Sequence, residues 1–279
     1  MNLDRDPWLP VRRESGKRDV VRVADLGALS DDPIIWPRTG RDDLDCITVD
    51  YLIARFQTAL EIRNKERWQD LLFNPPGSDV LQAALNPDAD YFDLCGAAPF
   101  LQDTTVADME PNRAALLFAE QPGDNAIKKN ADLFYTRDTI SYVHPGIAAM
   151  ALYGRQTICP SPGSRYHSGP RAGSAITTLL TSGDLWTTIL LNVLPDPDLA
   201  DRVGPVRTDD ADERFVWRTP PGPPDAPVAI APICAERTLF PSPLRYLLQI
   251  EAGSPRRCDV SGLETAHGVV AIRRAQGGR

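Results

Sequence analysis

Between Cys159 and Gly173 the chain gathers three serines (Ser161, Ser164, Ser168), one histidine (His167) and two arginines (Arg165, Arg171) among three glycines and three prolines. A serine beside a histidine is the minimum for an activated nucleophile. The wider sequence does not supply the rest of such a centre. The three histidines, His144, His167 and His267, stand in no H-E-x-x-H, H-x-H or H-D pattern, and there is no G-x-S-x-G, Walker loop or G-x-G-x-x-G. An HNH-type nuclease remnant between Cys258 and His267 lacks the second half of its motif. A small hydrolase is therefore the third reading of this stretch, behind two that need no catalysis. Glycines let a backbone approach a partner closely, and arginines present a fork of donors suited to phosphate or to a base edge. The same composition is also that of a merely tight turn. So many glycines and prolines exclude a regular helix or a central strand.

The elements that position this loop are legible on both sides. Gly146–Ile158 reads as a small-residue helix feeding into it. Ala175–Leu180 reads as a short strand leaving it, followed by a turn at Ser182-Gly183. Asp184 caps a helix reaching Leu194, with Trp186, Ile189, Leu190 and Val193 on one face. Upstream, residues 2–23 read as a β-hairpin turning at Glu14–Lys17. A helix is expected over Asp42–Asn64 on the stripe Val49, Ile53, Phe56 and Leu60, a second over Glu66–Phe73, and a third capped by Ser78 and ending at Leu85. Beyond Pro195 the chain turns acidic and proline-rich, which predicts irregular connections. Leu244–Ile250 and Gly268–Ile272 then read as strands. The fold class is α+β: a helical scaffold with small sheets and long loops. Its expected organisation is a main unit over 1–195, an acidic connection over 196–243 packed on the same unit, and a small β unit over 244–279.

The bulk numbers bound the function. With 279 residues the chain is long enough for one large or two small domains. A net charge of −8 argues against a protein that coats nucleic acid by itself, because such binding comes mainly from neutralising phosphates. It leaves room for a local basic patch. Five scattered cysteines with no C-x-x-C pair fit a reducing compartment, and the N-terminus shows no apolar leader. The expected location is the cytoplasm, without a membrane anchor and without a cofactor.

Several of these segments together resemble the CasA family, the large subunit of type I-E CRISPR Cascade. The resemblance is carried by Ser168-Gly169-Pro170-Arg171-Ala172-Gly173, Thr177-Thr178 and Leu185–Leu194. It extends to the opening Asn2-Leu3-Asp4-Arg5-Asp6-Pro7-Trp8-Leu9-Pro10-Val11-Arg12, to Pro99-Phe100-Leu101-Gln102 and to Phe118-Ala-Glu-Gln-Pro-Gly123. It implies a non-catalytic subunit of an RNA-guided complex, used in antiviral defence. In that family the equivalent loop enters the DNA minor groove and reads the motif beside the target (the PAM). That role falls here on Ser161, Pro162, Gly163, Ser164 and Arg165, with His167 and Arg171 nearby. A narrow groove with a degenerate code favours backbone amides and small residues. A basic residue downstream of the cysteine segment also touches DNA in the family; by distance from Gly262 it would be Arg273 or Arg274.

A loop within 103–144 touches the guide RNA and a neighbouring subunit in the family. By resemblance Phe118 is either a base-stacking aromatic or ordinary core, and Gln121 stands beside it. Lys128-Lys129 reads as a solvated surface pair before it reads as a phosphate clamp. Partners implied are the guide RNA, double-stranded target DNA, CasD-like, backbone and small subunits, and the helicase-nuclease; a protein–protein scaffold without DNA readout is the alternative. Many family members carry paired cysteines where His144-Pro145-Gly146 stands, and C-x-x-C-G where Cys258-Asp-Val-Ser261-Gly262 stands. The broken pair predicts no metal here. The chain is expected to correspond to the family's N-terminal domain, without its wedge hairpin and C-terminal helical bundle.

Overall fold

The computed structural model describes residues 1–135, 137, 139–163, 165–167, 169, 171, 178–219 and 234–277. The expected hairpin is present: β1 (Leu9–Arg13) pairs antiparallel with β2 (Arg18–Val21), and β3 (Ile34–Pro37) adds to the other side of β1. Three helices follow: α1 (Asp42–Ala59), α2 (Lys65–Phe73) and α3 (Ser78–Leu85). A two-residue β4 (Asn112–Arg113) and short α4 (Asp124–Lys128) precede α5 (Pro145–Thr157) and α6 (Leu185–Leu191). The chain then forms α7 (Asp196–Val203), α8 (Ala211–Arg214) and α9 (Ala235–Leu239). It closes with the long hairpin β5 (Arg245–Arg257) and β6 (Glu264–Ala275), which makes an antiparallel sheet in the order β4-β6-β5. The fold is α+β, as the sequence pattern predicts. One apolar core runs from Leu3 to Ile272, and no helix among the described residues is long and apolar enough to cross a membrane.

The helix α1 is the centre of this core. Asp42, Asp43 and Asp45 in its first turn complement the helix dipole. The stripe Val49, Ile53, Phe56 and Leu60 is buried as its spacing demands, yet so are Asp45, Thr48, Arg55, Gln57 and Thr58. Each of those polar groups has a partner. Arg55 grips Asp4 through Nε and Nη2 at 2.8–3.0 Å and donates to the Leu85 carbonyl (2.9 Å), with Phe92 beneath its guanidinium at 4.3 Å. Gln57 exchanges two hydrogen bonds with the backbone of Leu194.

Several sequence expectations are corrected. The first helix ends at Ala59, not Asn64, because Leu60 turns extended and Leu60 and Ile62 both enter the core around exposed Glu61. Their carbonyls accept from the Arg207 side chain and the Asp196 N–H. Ser78 is the first residue of α3, after a Gly77 cap. Asp184 caps α6 by accepting from the Thr187 N–H (2.8 Å), but the helix stops at Leu191. The expected strand over 175–180 lies partly outside the described residues. Its described part, Thr178–Leu180, joins no sheet; the Asn192 side chain holds Leu180 through both backbone groups. Helices replace part of the expected irregular connection beyond Pro195. Pro195-Asp-Pro-Asp starts α7, where a proline in the first turn and early carboxylates are favourable. Arg214 joins Asp88 to Glu236, and Arg207 joins Asp196. The proline-rich stretch 220–224 lies outside the described residues.

The buried polar groups make stability testable at two points. Arg55→Met leaves Asp4 unpaired in the core and should cost about 3–5 kcal/mol in denaturant unfolding, while Asp4→Asn with Arg55→Met recovers part of the loss. His144 caps α5, its Nδ1 accepting from the Gly146 N–H at 3.2 Å. Burial pushes this imidazole down to about 4. It folds neutral, whereas in the unfolded chain it titrates near 6.5. Its contribution is complete above pH ~6.5 and is lost as pH falls toward 4. Wild type should therefore lose about 2 kcal/mol more stability between pH 7 and pH 5 than His144→Asn, which keeps a capping acceptor without the charge.

Candidate nucleic-acid interface

The loop after α5 has a fixed base and an open tip. At the base, Gly169 lies against the end of α5 so closely that a Cβ would stand 2.2 Å from the Gln156 carbonyl oxygen and 2.7 Å from that of Thr157. Only glycine fits there. The Arg171 N–H donates to the Thr157 carbonyl (3.3 Å), and its guanidinium clamps both carboxylate oxygens of Asp50 on α1 at 2.9 and 2.5 Å. Asp50 also accepts from the Tyr153 hydroxyl (2.9 Å). The far side of the loop is held by the end of β6: the Gly277 N–H donates to the Arg165 carbonyl (2.8 Å), Tyr166 bridges to Gly277, and Arg274 lies over the Tyr166 ring at 5.6 Å.

The tip is self-contained. The Ser161 hydroxyl donates to the Gly163 carbonyl (2.7 Å), with the Tyr166 carbonyl oxygen at 3.1 Å, and the Tyr166 N–H also donates to Gly163 (3.1 Å). Gly163 is exposed, and an added Cβ would meet nothing closer than the Tyr166 ring at 3.5 Å, an ordinary contact. The fold therefore does not require glycine at 163. Arg165 and His167 are exposed, and no partner holds either side chain among the described residues. Ser164 and Ser168 lie outside them.

The structure separates residues that the sequence grouped together. Arg171 is half-buried on Asp50 and sets the position of the loop's base rather than its tip. Ser161 directs its hydroxyl to the loop's own backbone, not to His167, so this pair does not form the start of a hydrolytic centre. Arg274 touches the loop through Tyr166. Its neighbour Arg273 turns away, donating to the Met109 carbonyl (2.9 Å) and the Gln249 side chain (3.0 Å).

Phe118 is 2 % exposed, with Arg41 over its ring at 5.4 Å and Arg155 donating to the carbonyls of Leu116, Leu117 and Phe118. It is core, and it is not free to stack on a base in this conformation. Gln121 beside it is half-buried, and Lys128 and Lys129 lie at the end of α4, where Lys129 is exposed. The most exposed aromatic described in this region is Phe134, at 97 %, between Leu133 at 88 % and Tyr135, which is also exposed. Sequence reasoning passed over it. The available signal was a Leu-Phe-Tyr run of three consecutive apolar residues set among polar ones.

These features stand on a recognisable frame. The family model for CRISPR-associated protein Cse1 matches residues 2–278. The chain belongs to the Cse1 family. Solved relatives share its fold at low identity. Thermobifida fusca Cse1 superposes with a TM-score of 0.67 at 20% identity, covering 99% of this chain and 51% of that one. Cse1 from Acidimicrobium ferrooxidans gives 0.61 at 21% identity, with 99% and 51% covered. CasA (Cse1) from Thermus thermophilus gives 0.62 at 20%, with 99% and 52% covered. The chain thus spans about half the length of these Cse1-family proteins.

A tetrahedral zinc site does not fit the residues at Cys258–Gly262 and His144–Gly146. Cys258 Sγ accepts from the Ser261 N–H at 3.4 Å, and Ser261 offers a hydroxyl where a second thiol would be needed. His144 Nδ1 is engaged by Gly146. Among the described residues no three potential ligands cluster. A carboxylate joins the two segments instead: Asp259 Oδ2 accepts from the Ser141 N–H (2.7 Å), the Tyr142 N–H (2.8 Å) and the Ser141 hydroxyl (3.1 Å). This clamp ties the β5–β6 turn to the segment entering α5, and so sets both supports of the loop. Asp259→Ala should cost about 1–2 kcal/mol of unfolding free energy, whereas EDTA should leave the thermal midpoint of wild type unchanged.

Proposed function

We propose that this Cse1-family chain is a non-catalytic subunit of a type I-E Cascade-like surveillance complex, in which the 161–165 loop reads the PAM of double-stranded DNA from the minor groove. The guide RNA pairs with the target, and the protein inspects only the short flank. The observation that carries this reading is the contrast between two glycines. Gly169 is required by the fold. Gly163, at the exposed tip, is not, so its lack of a side chain is explained by something that approaches from outside. Arg165 near it is exposed, with no side-chain partner among the described residues, and is suited to the negative potential of a narrow groove. Arg274 backs the loop from behind Tyr166 and lies within reach of the same strand.

The remaining partners follow the family assignment: the guide RNA near its 5′ end, CasD-like and backbone subunits, the small subunit and the helicase-nuclease. Within 103–144, Phe134 and Leu133 take over the contact first ascribed to Phe118, with Gln121, Lys128 and Lys129 at its margin. The expected setting is the cytoplasm, in antiviral defence.

The test uses the assembled, RNA-loaded complex and target duplexes randomised at the flanking positions. Gly163→Asp with Arg165→Ala should reduce discrimination among flanks by roughly tenfold or more, with assembly and thermal midpoint unchanged. Unchanged discrimination would instead make the chain a scaffold without DNA readout.

A further inference from the structure

The N-terminal sheet carries a second cationic surface. Register places Arg12 of β1 opposite Arg18 of β2 on one side and opposite Trp36 of β3 on the other. Directly opposed side chains share a face, so these three form a row across the sheet. Pro10 and Val20 make the next pair along that face, and Arg38 joins it through its N–H bond to the Pro10 carbonyl (2.7 Å). All three arginines are exposed, while Trp36 is half-buried against the core. No guanidinium of the three has an ion pair or side-chain hydrogen bond among the described residues. Arg13 and Arg41, close by, are held by Asp19 and by Asp43 with Glu120. Two like charges placed opposite each other work against the hairpin. A glutamate at either position would relieve this, and both positions are arginine in a chain of net charge −8.

The carboxylates around the patch form no ion pair with it among the described residues; Asp45 is near enough to Arg38 to attract it. Asp19 faces the other side of the sheet, toward Arg13. Asp45 is buried and accepts from the Thr39 N–H (2.7 Å) and hydroxyl (2.6 Å). Asp42, at the edge of the groove that Arg12, Arg18 and Arg38 line, is exposed. The first turns of α1 separate this groove from the loop. Asp42, Asp45 and Cys46 border the groove, whereas Ile47 abuts Gly154 of α5 and Asp50 holds Arg171. A helix is about 10–12 Å across. That is of the order of the groove widths, about 6 and 12 Å, that separate the phosphate strands of a duplex.

We propose that Arg12, Arg18 and Arg38 on the outer face of the β2-β1-β3 sheet hold the phosphate backbone of duplex DNA beside the segment presented to the 161–165 loop. The contact is independent of sequence, because guanidinium forks meet phosphate oxygens rather than base edges. The position of the duplex rests on the reading of the loop given above, but the two roles have different readouts.

Binding of target duplexes with randomised flanks to the assembled complex, between 50 and 200 mM salt, separates them. The Arg12→Ala, Arg18→Ala, Arg38→Ala triple variant should weaken every duplex by the same factor and leave the ranking of flanks intact. It should lower the slope of log affinity against log salt by about 2–3, so the loss of affinity across that salt range narrows by roughly fortyfold. The triple lysine variant should keep most of the slope. Gly163→Asp should do the reverse, flattening the ranking with the slope retained. The thermal midpoint of the alanine variant should be unchanged or higher, because the like-charge pair is gone. Unchanged affinity and slope in the alanine variant would overturn the proposal. Its failure to co-purify with the complex would also overturn it, assigning the patch to an acidic protein partner. If wild type ranks no flank above another, the loop reading fails and the slope alone decides the sheet.

Discussion

The ion pair between Arg55 and Asp4 sets the terms for the rest of the structure. Both side chains are fully buried, so each is tolerable only while the other is in place. Satisfying the guanidinium draws three separate parts of the chain onto α1: the N-terminal segment through Asp4, the end of α3 through the Leu85 carbonyl, and Phe92 through its ring. One turn away, Tyr51 meets Trp8, Phe92, Phe100, Tyr153 and Phe240 edge to face, with centroids 5.7–6.4 Å apart. A helix surrounded in this way has few alternative positions. What projects from it, Asp50 in particular, inherits that fixity.

The candidate interface depends on this inheritance. A loop rich in glycine, proline and serine has little rigidity of its own. Here its ends are tied to three stiff elements: Arg171 to α1, Gly169 to α5, and Tyr166 to the end of β6. Among the described residues the tip presents Gly163 and the exposed side chains of Arg165 and His167, neither held by a partner. Such an arrangement places a slim edge at a defined point while keeping bulky side chains out of the way, which suits entry into a confined groove.

Charge is managed by the same economy of partners. Most arginines described near the core are matched by carboxylates or by carbonyls, as Arg155 is by three successive carbonyls and Arg214 by Asp88 and Glu236. Against that background an arginine without a side-chain partner among the described residues is informative: Arg12, Arg18 and Arg38 line a groove beside the first turns of α1, and Arg165 stands exposed on the loop. A carboxylate serves the same way between the hairpin and the entry to α5: Asp259 gathers three donors from Ser141 and Tyr142 and ties the β5–β6 turn to that segment.

What the sequence determined by itself was local or patterned. Turn residues and β-branched arms specified the β1–β2 hairpin, helix start and stop signals specified α2 and α3, helical spacing specified the buried faces of α1 and α6, Asp184 announced its cap, and ordered motifs announced the family. These signals survive without tertiary context because they act between residues a few positions apart. Tertiary structure decided where long-range partners exist. Arg171 looks like a ligand-binding arginine until Asp50, 121 positions away, claims it. Phe118 and Phe134 are equivalent as letters, but only one has a cavity to fill. The helix α1 ends early because Asp196 and Arg207 capture the carbonyls of Ile62 and Leu60. The opposition of Arg12 and Arg18 exists only once strand register is set. Burial and pairing depend on which distant groups arrive at the same point in space, and spacing along the chain carries no record of that.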